Sequence, residues 1–145
     1  MIAVDTNLLV YAHRPDSDWH VSARRAVAAL AESQRYWALP WPCIHEFFGV
    51  VTNPRFFKRP SLPTEAIAQI EAWMESPTLR LLSESAAHWG ELKAVLLAGQ
   101  LRGPAVHDAR IAALCREHDV DVLWTADRDF SRMAGLRVHN PLLQG

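Results

Sequence analysis

The chain has 145 residues, which suits one domain and leaves little room for a second. Half of them are hydrophobic and about a fifth charged, as in a globular protein with a real core. The formal net charge of −1 excludes a global basic field, so any contact with nucleic acid must come from a local patch. Cys43 and Cys115 have no CxxC partner and no metal-type spacing, so both read as small buried hydrophobes in a reducing cytoplasm. The first residues carry no basic, then apolar, leader pattern, and the longest apolar runs are too short for a membrane span.

In chain order, Ile2-Ala3-Val4 is an apolar run short enough for a fully buried strand. Trp19 to Ser33 is alanine-rich, with Ala23, Val27 and Leu30 on one helix face. Tyr36 to Leu39 reads as a second strand, stopped by Pro40 and Pro42. Pro42 fits a first helical turn, and Ile44, Phe47, Phe48 and Val51 follow at helical spacing until Asn53-Pro54. Arg55 to Pro63 is a loop with three cations. Thr64 is the expected cap of the next helix, with Ile67, Ile70, Trp73 and Met74 as its stripe. Leu79 to Leu82 is a strand. Ser85 caps a further helix with Trp89, Leu92 and Leu96 on one face, and Gly103-Pro104 opens another that runs to about His118. Val122 to Trp124 is a strand, Asp127 to Met133 a short helical turn, and Arg137 to His139 a weak last strand. Strands separated by helices predict one α/β domain, residues 1–145, with a mostly parallel sheet.

Ligands of such sheets bind beyond the carboxyl ends of the strands. Asp5 follows the first strand at once, and Asp127 comes three residues after Trp124. Glu46 interrupts the apolar stripe of its helix, and Asp108 falls in the first turns of the helix after Pro104; helix starts share the rim of the strand ends. Four carboxylates from four distant segments are thus expected at one rim. Such a set repels itself and is costly to desolvate without a cation, so the repulsion should raise at least one folded-state pKa. Oxygen donors alone suit Mg²⁺ or Mn²⁺ rather than zinc, and Mg²⁺ pairs naturally with substrate phosphates.

These residues also match a family. Val4-Asp5-Thr6-Asn7 resembles the opening motif of PIN domains, His107-Asp108-Ala109-Arg110-Ile111-Ala112-Ala113 their third acidic motif, and Thr125-Ala126-Asp127-Arg128-Asp129-Phe130 their last. Glu46 falls in the second predicted helix, where the family carries its glutamate. The compact length and the motif set resemble the VapC toxins of bacterial toxin–antitoxin pairs. The resemblance implies a three-layer αβα domain, a Mg²⁺- or Mn²⁺-dependent endoribonuclease, dimers, and inhibition by a cognate VapB-type antitoxin. It also implies that Asp5, Glu46, Asp108 and Asp127 form the metal site. Asp129 ranks below them, and Asn7 and Thr125, with Thr6 less clearly, would orient the carboxylates.

Other readings weigh less. The seven histidines include no HExxH and no tight cluster, so structural or surface roles are expected. Arg55, Lys58 and Arg59 are either a solvated face or a phosphate-tracking loop. Arg110 and Arg128 adjoin proposed ligands, and Trp19 and Trp41 lie near loops, where an indole can stack on a base. A haloacid-dehalogenase-like phosphotransfer enzyme would want an aspartate where Asn7 stands, and a receiver domain a lysine late in the chain. A non-catalytic module whose acidic pocket docks a basic segment is the alternative from another class.

Overall fold

The computed structural model describes residues 1–133 and 135–143, so Ala134 and the last two residues of the expected 1–145 domain lie outside it. Five strands, β1 (Ile2–Val4), β2 (Trp37–Pro40), β3 (Leu79–Leu82), β4 (Val122–Trp124) and β5 (Val138–His139), form one sheet in the order β3-β2-β1-β4-β5. All four pairings are parallel. A parallel sheet is covered on both faces, so its central strands read as unbroken apolar runs. Ala3, Val4, Trp37, Ala38, Leu39 and Leu123 are accordingly buried.

The helices are α1 (Thr6–His13), α2 (His20–Glu32), α3 (Trp41–Val51), α4 (Pro63–Met74), α5 (His88–Gly99) and α6 (Ala105–Glu117). From β1 to β2 to β3 the chain steps one way along the sheet, and from β3 to β4 it turns back across it. Right-handed crossovers then put α1 to α4 on one face and α5 and α6 on the other. The packing agrees: α1 contacts α2 and α3, α3 contacts α4, and α5 contacts α6. The result is the expected αβα arrangement. The reversal makes β1 and β4 neighbours, and their junction is the topological switch point.

The sequence reading has no helix at Thr6–His13. Two turns are too short for a periodic signal, and this helix buries Leu8, Leu9, Val10 and Ala12, so it lacks a polar face. It makes Glu46 a residue of the third helix rather than the second. In α3, Pro42 takes the first turn as expected, and Cys43, Ile44, Phe47 and Val51 face the core.

Two expected helix faces differ. In α4 the buried residues are Ala66 and Trp73, with Ile70 partly covered, while Ile67 and Met74 are exposed. The face is set by Trp73 meeting Phe47 edge-on at 4.9 Å, which turns Ile67 outward. The helix also starts earlier than expected: Leu62 N–H donates to Glu65 Oε1 at 2.9 Å, which puts Thr64 inside the first turn. In α5, Val95 is the buried residue and Trp89 is exposed. Ser85 stands before that helix, where its N–H and hydroxyl both donate to Glu117.

Four histidines are structural, as expected. His13 bridges Ser61 and Gln69 and meets Phe47 edge-on, His20 bonds the Tyr11 carbonyl, His88 pairs with Glu117, and His118 bonds the Ser83 carbonyl. The 55–63 loop keeps Arg55, Lys58 and Arg59 exposed. Arg14 anchors it from below, donating to Ser61 and lying 4.1 Å over the Phe57 ring. Among the described residues, no helix is long and apolar enough to cross a membrane.

Candidate metal centre

The register of β1 and β4 builds the centre. Val4 pairs with Trp124, and Asp5 N–H donates to the Trp124 carbonyl at 2.9 Å. This sets Asp5 beside Thr125 at the carboxyl edge of the sheet. Asp5 caps α1, and its Oδ1 accepts Thr6 N–H at 2.8 Å. Its Oδ2 accepts the Thr125 hydroxyl at 2.8 Å and the Asn7 amide at 3.4 Å. Asn7 in turn donates to Thr125 and accepts from Ala126 N–H, and Thr125 accepts from Asp127 N–H. Asp127 Oδ1 accepts Asp129 N–H at 2.9 Å and starts a 3₁₀ turn at Arg128–Arg132. One hydrogen-bonded network thus locks the ends of β1 and β4 together. Asn7 and Thr125 touch Asp5 as the sequence reading expects, whereas Thr6 reaches Asp5 through its backbone N–H and turns its side chain to the Cys43 thiol.

The helices bring the rest. Glu46, in the second turn of α3, and Asp108, in the first turn of α6, open onto the same cavity of about 260 Å³ as Asp5 and Asp127. Its other walls are Thr6, Asn7, Val10, Tyr11 and Val50, with no basic side chain among them. All four carboxylates expected from the sequence therefore share one pocket. Among the described residues the closest carboxylate group is different: Asp108, Asp127 and Asp129 each bring an oxygen within 4.8 Å of the others, with Asp129 outside the cavity lining. Asp129 stands closer to the centre of the cluster than its rank in the sequence reading.

The electrostatics follow from burial first and repulsion second. Burial pushes the Asp5 carboxyl up to about 6; the bonds from Thr125 and Thr6 oppose the rise, and Glu46 and Asp127 add to it. Asp108 also stands at about 6, again through burial, then through Asp127, Asp5 and Asp129. Glu46 is raised by burial and by Asp108. The sequence reading expects repulsion to raise a pKa; it does contribute, but loss of water is the larger cause. His107 is close enough for its charge to oppose the rise at both Glu46 and Asp108.

One contact had no signal beyond helical spacing. Cys43, three residues before Glu46 on α3, is fully buried and donates its thiol to Asp5 Oδ1 at 3.7 Å. Burial holds both thiols in the protonated form, with Cys115 pushed up to about 12.

The donor set tests whether a cation fits. A buried carboxylate held by four donors, three further carboxylates and no cationic wall make an oxygen-lined pocket of net negative charge. Those residues fit a hard divalent ion. Thr125→Val is expected to cost about 1.5–3 kcal/mol near pH 8, where Asp5 is ionised and loses a hydrogen bond. Near pH 4.5 the loss should be smaller, because the protonated carboxyl needs that donor less. Urea melts at both pH values check this, and equal losses would mean that the hydroxyl does not act through the Asp5 charge.

The chain was compared with known proteins on this basis. The PIN domain profile matches residues 2–136. Ribonuclease VapC43 of Mycobacterium tuberculosis is 34% identical over 142 residues, covering 98% of this chain and 96% of the relative. Among solved structures, Mycobacterium tuberculosis VapC20, described as a sarcin–ricin loop cleaving toxin, superposes with a TM-score of 0.68 at 20% identity, covering 94% of this chain and 96% of that one. A chain of VapBC2 from Rickettsia felis, solved bound to a DNA fragment from their promoter, gives 0.66 at 23% identity, covering 97% and 98%. These two likenesses speak for the fold, and the profile and the curated relative speak for the lineage: the chain belongs to the PIN domain family and, within it, to the VapC group.

Proposed function

We propose that the protein is a divalent-metal-dependent endoribonuclease, the toxin of a VapBC-type pair, acting in the cytoplasm. The observation that carries this is the convergence of Asp5, Glu46, Asp108 and Asp127 in one pocket without a basic side chain at the β1–β4 switch point. Those four residues would hold Mg²⁺ or Mn²⁺, with Asp129 beside Asp108 and Asp127 as a further donor. Such an ion, when bound, supplies Lewis-acid polarisation of a phosphodiester and activation of water. The chain's own part is to fix the carboxylates: Thr125, Asn7 and the Thr6 N–H hold Asp5, and the bonds from Asp127 N–H to the Thr125 hydroxyl and from Asp129 N–H to Asp127 Oδ1 hold the 125–129 turn. No histidine lines the pocket to take the proton of a ribose 2′-hydroxyl. The products should therefore carry 5′-phosphate and 3′-hydroxyl ends.

The pocket wall also suits the inhibitor. Val10, Tyr11 and Val50 adjoin the carboxylates, which fits a basic, amphipathic segment of a VapB-type antitoxin that folds on binding. The exposed Arg55, Lys58 and Arg59 follow Val50 along the chain and would track the RNA backbone. The pairing of VapC-like chains as homodimers belongs to the same proposal.

The test is cleavage of an RNA pool with Mg²⁺, with Mn²⁺ and with EDTA, followed by analysis of the ends. Cleavage only with metal, leaving 5′-phosphates, is expected. Undiminished cutting in EDTA or cyclic phosphate ends would overturn the mechanism. Tight binding of a basic peptide with no cleavage under any metal would instead mark a docking module.

A further inference from the structure

A second cavity lies on the same rim, and the metal centre does not use it. It measures about 320 Å³ and is lined by Trp41 and Pro42 at the start of α3, by Leu82 at the end of β3 and Ser83 and Glu84 after it, and by Arg110 and Leu114 of α6. In the strand order β3-β2-β1-β4 this places it beyond β2 and β3, next to the centre beyond β1 and β4. Two strand spacings separate the midpoints, roughly 10 Å. The two cavities share rigid supports. Trp41 and Glu46 belong to α3, and Arg110 and Asp108 belong to α6.

The lining has the chemistry of a nucleotide. Trp41 is half-buried and lines the cavity, its indole tilted against the His45 ring at 5.9 Å. Arg110 has a buried Nε with no hydrogen-bond partner. Its ion pair among the described residues is loose, with Nη2 3.5 Å from Glu84 Oε1, and Glu84 is shared with His88 at 3.7 Å. The buried Nε is out of reach of a ligand, but the side chain is 40% exposed and its terminal nitrogens, held only loosely by Glu84, present a fork that phosphate oxygens match. An aromatic wall beside it offers a stacking face to an unpaired base.

We propose that this cavity is a nucleotide subsite, where Trp41 stacks on an unpaired base flanking the cut and Arg110 holds the adjoining phosphate. The inference rests on the ribonuclease reading above. It assigns to the subsite a share of RNA affinity, and it makes Glu84 a brake, because its carboxylate competes with phosphate for Arg110.

The probe is a short, unpaired adenosine–cytidine RNA with a fluorescent label, its binding followed by anisotropy with Ca²⁺ in place of Mg²⁺. Trp41→Ala is expected to weaken binding roughly tenfold, and Trp41→Phe to retain most of it, since the ring still stacks. Arg110→Gln should weaken binding and reduce the slope of log affinity against log salt by about 0.7, the signature of one lost phosphate contact on a single strand. Glu84→Gln should tighten binding. Unchanged affinity in both Trp41→Ala and Arg110→Gln, with the wild type binding and cutting RNA, overturns the subsite alone. A wild type that neither binds nor cuts RNA overturns the ribonuclease reading and the subsite with it. Sedimentation decides the competing occupant: a Trp41→Ala protein that falls from dimer to monomer makes the cavity a subunit contact and overturns the proposal. Trp41→Phe and Arg110→Gln keep the question open to measurement if Trp41→Ala does not fold.

Discussion

Asp108→Asn is expected to lower RNA cleavage by at least a hundredfold to a thousandfold while leaving the fold intact. Asp108 is the carboxylate that ties the two halves of the centre together. It lies within 4.8 Å of both Asp127 and Asp129, and its charge is felt at Glu46. Asparagine keeps its shape and removes the charge that a cation would neutralise. Among the described residues the Asp108 carboxylate makes no hydrogen bond, in contrast to that of Asp5, which caps α1 and accepts from Thr125. The variant should therefore melt no lower than the wild type in EDTA near pH 8, because a raised carboxyl is relieved of its charge there. Asp18→Asn, an exposed change outside the pocket, serves as the control and should cut like wild type. Turnover by Asp108→Asn at the wild-type rate would remove Asp108 from the centre.

The site was more legible than the helices around it. Asp5 and Asp127 follow short apolar runs directly, so the rule that ligands sit beyond strand ends places them without any knowledge of the packing. Glu46 and Asp108 are legible because a charged residue interrupts an apolar helical pattern or sits at a helix start. The sequence does not carry the strand order, and it is the order that makes β1 and β4 neighbours and sets Thr125 against Asp5. Likewise α1 is invisible to periodicity because it is short and buried on most sides, and the α4 face is decided by Trp73 packing on Phe47 rather than by the count of apolar residues. Asp129 is undervalued because its approach to Asp108 depends on a 3₁₀ turn, and i, i+2 spacing in a turn does not specify direction. Arg110 and Trp41 are each visible as isolated candidates, but only the fold puts them on one cavity.

Stability should depend on pH and on metal together, and the sign follows from Asp5. Its folded pKa of about 6 lies above the ordinary 3.8. The folded protein thus holds a proton that the unfolded chain releases, across the window from about pH 4 to pH 6. In metal-free buffer, the contribution of Asp5 is fully present below that window and is lost as pH rises through 6. For this buried group the loss amounts to about 3 kcal/mol, at 1.36 kcal/mol per pH unit. Asp108, which is less buried, acts in the same direction. Other carboxylates pull the opposite way, since Asp16 and Glu117 are held low by Arg14, and by Ser85 and His88. The difference between melts with and without metal cancels them, because they lie outside the pocket. A cation binds the ionised carboxylates, so its stabilisation should be small near pH 5, half-developed near pH 6 and full near pH 7.5. At a hundredfold excess over the dissociation constant, linkage gives about 2.7 kcal/mol, or a shift of roughly 5–10 °C for a chain of this size. Asp127→Asn should shrink that shift and, in EDTA near pH 8, melt above the wild type, since one charge beside Asp5 is gone. Thermal melts of both proteins with Mg²⁺, Mn²⁺ or EDTA at three pH values decide it. A wild-type shift that is absent, or equal at pH 5 and pH 7.5, would mean that Asp5 and its neighbours do not act as one cation site.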